Sequence, residues 1–428
     1  MAGGLIQLVK SEQDNYLIGN PKITYFKIVY HRHTNFAMEC SEIPLGTNPG
    51  TNEEVVTTLI TKTGDLLHKM HFDILLEGTE SINAGSYINW TNSTGYAYIK
   101  EISIQIGSQK IDTHYSEWFD IWNELTDPNM KEHTLVNKHN GEYLTDNATL
   151  TPPNLQMYVP LQFWFCKNAG LSLPLISLQN TDVKLITTFR KLNHLINCEG
   201  YASNQITPPT VKLYGDFIYL DTDERRRFST ESLDYLIEQL QYNQLQPLTN
   251  KYQLNFNHHI KELIWVCKDS RIDETDSTIE NATVDATLNK FTDSIWDGTH
   301  GNDYFNYSPN ANSNPDYIYG ITHYEPFSTA KITIENSNRI SSRKSSYFRT
   351  LQQYNHHSNV SSKGIYVYSF ALKPEEYQPS GFINFSKLNN VNLELTNPIT
   401  NNMNILIFAT NYNVLRFSGG TAGLAYIS

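Results

Sequence analysis

Phe163-Trp164-Phe165-Cys166-Lys167-Asn168, with Ser177-Leu178-Gln179-Asn180-Thr181-Asp182-Val183-Lys184-Leu185 behind it, returns in weakened form later in the chain. The second copy reads Tyr368-Ser369-Phe370-Ala371-Leu372-Lys373-Pro374, then Lys387-Leu388-Asn389-Asn390-Val391-Asn392-Leu393. Both copies run from an aromatic strand through a Pro/Gly-containing bend to a Leu-(Gln/Asn)-Asn segment and an alternating Val-x-Leu strand. The copies lie about 205 to 210 residues apart, half of the 428-residue chain. A repeat of that length is a duplicated domain rather than a solenoid unit. Function therefore has to be explained with two similar β modules in one chain.

Length and composition agree. A chain of 428 residues suits two cores of about 200 residues each. Aromatic residues make up 12%, with 27 Tyr and 19 Phe, while charged residues reach only 18%. Tyr, Phe, Thr, Val and Ile favour strands, and Asn, Gly and Pro favour the turns between them. The net charge of −12 argues against direct nucleic-acid binding, which needs a basic surface. The one dense basic run, Arg225-Arg226-Arg227, follows Asp221, Asp223 and Glu224 and reads as a salt-bridged helix or linker face. Four scattered Cys suggest a reducing compartment, with Cys166 and Cys267 as buried thiols. The first nine residues lack the features of a signal peptide, and no apolar run approaches the ~20 residues needed to span a bilayer. A soluble, cytosolically made chain is expected.

Residues 1–22 read as an N-terminal arm with an apolar beginning. Residues 23–221 form the first β domain, opening on a strand Ile23–Tyr30 and continuing with strands at Glu54–Thr61, His68–Leu76 and Ala97–Ile111, the last bent at Gly107. Ser116 to Leu125 reads as a short helix capped by Ser116 and ending before Asp127-Pro128. Strands follow near 156–166, 182–190 and 209–220, and residues 222–230 link to a second domain, 222–428. Its strands are Leu233–Gln241, Ile260–Val266, Ala330–Glu335, Gly364–Leu372, Val391–Leu395 and Asn404–Phe408. The polar stretch 268–323 reads as an exposed loop insertion, since structureless segments of that length are uncommon inside compact domains. The expected fold is all-β: two tandem eight-stranded antiparallel jelly rolls with short helices and long loops.

Several blocks carry a family resemblance. They are Gly19-Asn20-Pro21-Lys22-Ile23-Thr24-Tyr25-Phe26-Lys27 with Arg32-His33-Thr34-Asn35-Phe36-Ala37; Pro160 to Cys166; Leu220-Asp221-Thr222-Asp223-Glu224-Arg225-Arg226-Arg227-Phe228; and Tyr366 to Glu375 with Gln378-Pro379-Ser380-Gly381. In this order, over nearly the full length, the chain resembles the double jelly-roll major capsid proteins of nucleocytoplasmic large DNA viruses. The resemblance implies a structural, non-enzymatic protein whose homotrimers form pseudo-hexagonal capsomers tiling an icosahedral shell. It implies minor capsid and penton proteins as further partners, an internal membrane reached only indirectly, and a place in the virion capsid after assembly in the host cytoplasm. The loop 268–323 would face outward and the arm would lie at the base.

Candidate sites are few. Asp221, Asp223, Arg225, Arg226 and Arg227 are candidate inter-domain or trimer contacts through charge-assisted hydrogen bonds. Of seven Asn-x-Ser/Thr triplets, Asn281 and Asn306 in the loop insertion are the candidate glycan acceptors. The pairs His31/His33, His258/His259 and His356/His357 lack a carboxylate at ligand spacing, and Gly419 to Gly423 lacks the Lys-Ser/Thr of a phosphate loop. No catalytic, metal or cofactor residues are expected. The rival reading is a carbohydrate-binding or carbohydrate-active β-sandwich, which as a glycosidase would need two carboxylates a few Å apart in a cleft.

Overall fold

The structure, a computed structural model, describes residues 12, 15–78, 88–129, 134–138, 154–198, 207–269, 304, 305, 307, 325–335, 337–400 and 403–426. Two compact units divide between Phe36 and Ala37.

In the first unit, Ile23–Tyr30 is not a strand: its residues have turn or irregular backbone, and Tyr25 and Phe26 are exposed. β-propensity reports fit to a half-buried pleated surface, and without a pairing ladder such a run has nothing to fit. Strand structure starts at Phe36.

The second unit holds the same sheet arrangement twice. The first set of strands is β1 (Phe36–Ile43), β2 (Glu54–Leu59), β3 (Leu66–Leu76), β4 (Ile99–Ile106), β5 (Gln109–Tyr115), β6 (Leu155–Pro160), β7 (Leu173–Pro174), β8 (Val183–Phe189) and β9 (Thr210–Leu220). The second set is β10 (Leu233–Pro247), β11 (Lys251–Gln253), β12 (His259–Asp269), β13 (Thr329–Ile334), β14 (Ser337–Lys344), β15 (Ile365–Ser369), β16 (Ile383–Asn384), β17 (Val391–Thr396) and β18 (Met403–Ser418). In the first set one sheet has the order β1-β9-β3-β6, with β7 on the end of β3, and the other has β2-β8-β4-β5. In the second set the orders are β10-β18-β12-β15, with β16 on the end of β12, and β11-β17-β13-β14. Adding nine to each first-set label gives the second set, so the duplication read from two short motifs extends to every ladder of these four sheets; the short ladders Ile88–Trp90 with Ile196–Cys198 and Thr421–Leu424 with the end of β18 are not repeated. Two four-stranded sheets of non-sequential order, repeated, are two jelly rolls.

The sequence motifs sit at equivalent points. In each roll a two-residue strand leads into a single 3₁₀ turn, Leu175–Ser177 or Phe385–Lys387, and then into β8 or β17. The aromatic run of the first motif departs from expectation. Trp164–Lys167 is one helical turn, not strand, and packs Phe163, Trp164 and Phe165 into the core. Ala97–Ile111 is likewise not one bent strand but the hairpin β4–β5, turning at Gly107 with φ +60°, a left-handed conformation that glycine adopts without a Cβ clash.

Two apolar clusters hold the unit together. One contains the first roll's interior together with Ile264, Val266, Ile365, Val367, Leu406 and Phe408 from the second roll. The other, built on Leu263, Trp265, Tyr366, Phe348 and Ile407, lies inside the second roll. Alternate residues of β12, β15 and β18 therefore feed two different cores. That sheet is covered on both sides, like the sheets whose strands read as continuous apolar runs.

Of the stretch 268–323 read as exposed, Lys268, Tyr304, Phe305 and Tyr307 are buried. Tyr304 donates from its hydroxyl to the His194 carbonyl at 3.0 Å and lies under the Arg190 guanidinium, 4.4 Å from the ring centre. A polar stretch with a Tyr-Phe-x-Tyr motif can return to the core at that motif, a signal that loop length and overall polarity conceal. Gly364 is the close-approach point, because a Cβ there would collide with the Tyr307 carbonyl. Gly364→Ala is expected to lower stability by about 1–3 kcal/mol, read as a lower urea midpoint with unchanged slope.

Candidate functional site

The region of densest chemistry is the junction between the rolls. It is organised by α1 (Ser116–Thr126), which follows directly from β5. Ser116 is not the cap: Tyr115 holds that position without a side-chain bond, and Ser116 Oγ instead accepts from Arg190 Nη1 at 3.0 Å. The helix stops at Asp127, ahead of Pro128, as the sequence indicates. Its order Ser-Glu-Trp-Phe-Asp-Ile-Trp-Asn-Glu puts Glu117, Asp120 and Glu124 at i, i+3 and i+7 along one stripe and Trp118 and Trp122 along another.

Both stripes are used at the junction. Trp118 meets Phe408 of β18 at a centroid distance of 5.7 Å, and Tyr115 meets Tyr242 of β10 at 4.6 Å. The acidic stripe meets lysines. Lys268 Nζ lies 2.7 Å from Glu117 Oε1, Lys363 Nζ 2.7 Å from Asp120 Oδ2, and Lys138 Nζ 2.7 Å from Glu124 Oε1. Lys363 and Lys138 each bridge Asp120 and Glu124. Residues 359–363 also satisfy the C-terminal end of the helix. Asn359 N donates to the Leu125 carbonyl at 2.9 Å, Asn359 Nδ2 to the Glu124 carbonyl at 2.8 Å, and Ser361 Oγ to Glu124 Oε2 at 2.8 Å.

A second patch joins β5 to β10. Leu240 N donates to Asp112 Oδ1 at 3.0 Å, and Gln239 Nε2 donates to the Ile111 carbonyl. Lys167 Nζ stands 4.0 Å over the Trp122 ring and 3.4 Å from Glu238, which Lys261 Nζ also approaches at 2.5 Å. The glycine bend at 419–420 accepts bonds from Asn180 through the carbonyls of both glycines.

The charge states follow. Burial alone would raise the Glu117 carboxyl, but Lys268 and Arg190 outweigh it and hold the pKa at about 2. Burial likewise opposes ionisation of Glu124, and Lys363 and Lys138 hold it at about 2. Asp120 and Glu124 are paired carboxylates, but they lie under lysines, and Glu124 is ionised throughout the range where a glycosidase acid must hold a proton. Among the described residues no three His, Cys, Asp or Glu side chains form a metal-ligand group.

The residues singled out from sequence lie on α2 (Thr222–Thr230), so the hinge is helical. Asp221 is its N-cap, accepting from Thr222 N at 2.8 Å, with Asp223 and Glu224 in the first turn and Arg227 in the last, where each sign suits the helix dipole. Arg225 Nε reaches Asp65 Oδ1 at 3.0 Å, and Arg227 Nε pairs with Glu231 four residues on. The side chains of Asp221, Asp223, Arg225, Arg226 and Arg227 are exposed. Asn281 and Asn306 lie outside the described residues.

His357, set aside from sequence because the pair His356/His357 has no carboxylate at ligand spacing, has two carboxylate neighbours in space. Its ring is buried between two carboxylates, Nε2 lying 3.2 Å from Glu262 Oε2 and Nδ1 3.0 Å from Glu375 Oε1. Glu262 follows Lys261 on β12, and Glu375 lies in the turn after β15, so 113 residues of sequence separate the two acids and hide the arrangement.

Two jelly rolls of identical strand order, joined within one chain by a helix, define the double jelly-roll class of viral coat proteins. A crystal structure of PBCV-1 VP54, fitted into a cryo-EM reconstruction of the virophage Sputnik, superposes with a TM-score of 0.73 at 30% identity, covering 95% of this chain and 100% of that one. The Faustovirus major capsid protein shares the fold, with a TM-score of 0.72 at 12% identity over 92% of this chain and 93% of that one. Residues 24–221 match the family model for the major capsid protein N-terminus, and residues 224–423 that for the large eukaryotic DNA virus major capsid protein. Over the whole of both chains, the major capsid proteins of Pyramimonas orientalis virus and Paramecium bursaria Chlorella virus 1 are 37% and 34% identical to this one. The chain belongs to the major capsid proteins of large eukaryotic DNA viruses. It is a structural component of the virion capsid, not an enzyme, and the carbohydrate-active reading is not favoured.

The His357 arrangement generates a pH signature. Burial alone would lower the imidazole pKa, but Glu262 and Glu375 raise it to about 9, so the ring is a buried cation at neutral pH. A group raised from an unfolded value near 6.5 stabilises fully below that value and loses its contribution as pH climbs through 9. Unfolding free energy of the wild type is expected to fall by on the order of 3 kcal/mol between pH 6 and pH 9.5. In His357→Gln this pH-dependent component should vanish from denaturant titrations.

Proposed function

We propose that three copies associate into a homotrimer of pseudo-hexagonal outline, and that these capsomers tile an icosahedral shell. The observation that carries this reading is the twice-repeated strand order, two like lobes per chain. Three chains then supply six similar lobes, and closed three-fold symmetry satisfies their lateral surfaces. Within this reading the arm (1–22) lies at the base, followed by the rolls of 23–221 and 222–428, with the 268–323 insertion at the outer end apart from the buried Lys268, Tyr304, Phe305 and Tyr307. The further partners are minor capsid and penton proteins, the internal membrane is reached through them, and assembly takes place in the host cytoplasm. The acidic balance of −12 supports a role without direct nucleic-acid contact.

Trimer interfaces of this kind bury on the order of thousands of Å2, whereas contacts between capsomers are weaker, so that misplaced units dissociate and re-bind. Light scattering after size exclusion is expected to give a single species near three times 49.1 kDa. A clean monomer across the accessible concentrations would sink the capsomer reading for the unassisted chain.

Asp221, Asp223, Arg225, Arg226 and Arg227 are the proposed charged contacts of the linker helix, within the chain or at the trimer seam. Arg226→Glu is expected to weaken trimerisation without unfolding the protein, seen as a monomer fraction that grows on dilution. Undiminished trimers would remove Arg226 from the seam.

A further inference from the structure

The link between β15 and β16, residues 370–382, is held unlike its counterpart in the first roll. There the link between β6 and β7 buries Leu161, Phe163, Trp164 and Phe165 in the core. Residues 370–382 have no regular structure, and only Ala371 and Pro374 among them are buried. The ends are fixed to β12. Phe370 N and Ala371 N donate to the Lys261 carbonyl at 2.8 and 3.2 Å, and Ile383 and Asn384 pair with the start of the strand. Between the ends the link is tied by polar bonds. Lys261 Nζ donates to the Pro374 carbonyl at 2.5 Å, and His356 Nδ1 lies 3.2 Å from the Leu372 carbonyl. The Glu375 carboxylate accepts from Ser358 N at 2.8 Å, from Ser358 Oγ, and from His357 Nδ1 at 3.0 Å. These ties converge on Lys261 and on the end of α3 (Gln352–His356). A segment held this way, with little apolar burial of its own, belongs to the low-stability part of a fold.

His357 stands between two carboxylates of different freedom. Glu262 has no exposed side-chain surface and is also held by Thr410 Oγ1 at 3.1 Å, whereas the Glu375 side chain keeps 20% of its surface in water. The charged and titratable groups around the ring are Glu262 and Lys261 from β12, Glu375 from the link, Glu238 from β10 behind Lys261, Tyr412 from β18 and His356 from α3. Lys261 is already matched by Glu238 at 2.5 Å, and burial pushes the Tyr412 hydroxyl up, so it stays neutral. The imidazolium is therefore the cation that the two carboxylates share. A neutral imidazole has a single N–H, so one carboxylate would face a lone pair, with no cation between the two acids. Glu262 cannot reach water, and Glu375 can. We propose that residues 370–382 form a strap latched by the protonated His357 ring, and that the strap swings out with Glu375 when the ring loses its proton. The ends stay bonded to β12, so the release is local. Since the two carboxylates raise the ring to about 9, the strap is latched at neutral pH and opens on the alkaline side. The device is complete within one chain and does not rest on the trimer reading.

Limited proteolysis with subtilisin reads the strap in the full chain. A free peptide of residues 370–382 serves as the rate standard at each pH, and light scattering follows the oligomeric state. Relative to the peptide, cleavage within the wild-type strap is expected to rise about tenfold between pH 7 and pH 10, the gain from one pH unit beyond the ring's own value. Cleavage elsewhere in the chain should not rise with it. His357→Gln removes the cation and is expected to show the fast rate already at pH 7, with no further rise. Glu375→Gln, on a partly exposed side chain, covers the case in which the histidine variant does not fold. It removes the charge that a neutral ring expels, so its rate is expected to stay flat with pH, and circular dichroism checks that its fold is retained. A wild-type strap equally resistant at pH 7 and pH 10 overturns the latch, as does a rise that persists undiminished in Glu375→Gln. Cuts that appear throughout the chain together with those in the strap overturn the local release.

Discussion

Burial of the second roll's β10-β18-β12-β15 face against the first roll is the constraint on which the rest depends. A sheet with Ile264, Val266, Val367 and Phe408 on its outer side cannot stand in water, since each such side chain is worth about 1.5–3 kcal/mol when covered. The first roll covers it with a helix whose carboxylates would themselves be costly to bury. Lys268, Lys363 and Lys138 remove that cost, and their ammonium groups are in turn desolvated. Buried ion pairs of this kind add little net stability over apolar replacements, but breaking one leaves a charge stranded. Their contribution here is register: a carboxylate stripe with i, i+3, i+7 spacing can meet its lysines in only one sliding position along the junction.

The repeated topology places two like lobes in each chain of this capsid protein. Duplication supplies like lobes, and divergence then makes the lobes unlike at the surfaces where they meet. The first roll has kept water-tolerant residues where the second has apolar ones, and the second has an exposed cationic edge where the first has a buried acidic one. Relatives at 37% and 34% identity span the whole chain, so both rolls and their linker belong to one inherited unit.

Much of the fold was legible because strands and turns are local. β2, β3, β8, β9 and β13 fall close to where period-two patterning puts them, and α1 ends at Asp127-Pro128 as its residues require. Ile23–Tyr30 misled because its propensity is strong while its ladder is missing. Phe163–Cys166 misled because a buried aromatic run has no period to separate one helical turn from a strand. The junction was almost invisible: Glu117 and Lys268, 151 residues apart, give no sign in sequence of being partners. A partial signal existed in the contrast between Leu263-Ile264-Trp265-Val266, apolar at every position, and Lys69-Met70-His71-Phe72-Asp73, which alternates. The first pattern marks a strand covered on both sides and the second a strand covered on one.

The direction of dependence between the rolls also matters on the ribosome. β1 pairs with β9, so the two sheets of the first roll are complete once residue 220 has emerged, and Tyr304, Phe305 and Tyr307 join its core later. The second roll has no such independence, because half of its central sheet is apolar toward a neighbour. Synthesis from the N-terminus delivers that neighbour first. α1 and β5 are in place before β12 appears, and the nascent apolar face meets a finished surface instead of another unfinished chain. Because exposed sheet faces and slow long-range pairing invite aggregation, the order of the two rolls along the chain acts as a folding aid. Exchanging the order of the two rolls would forfeit that protection.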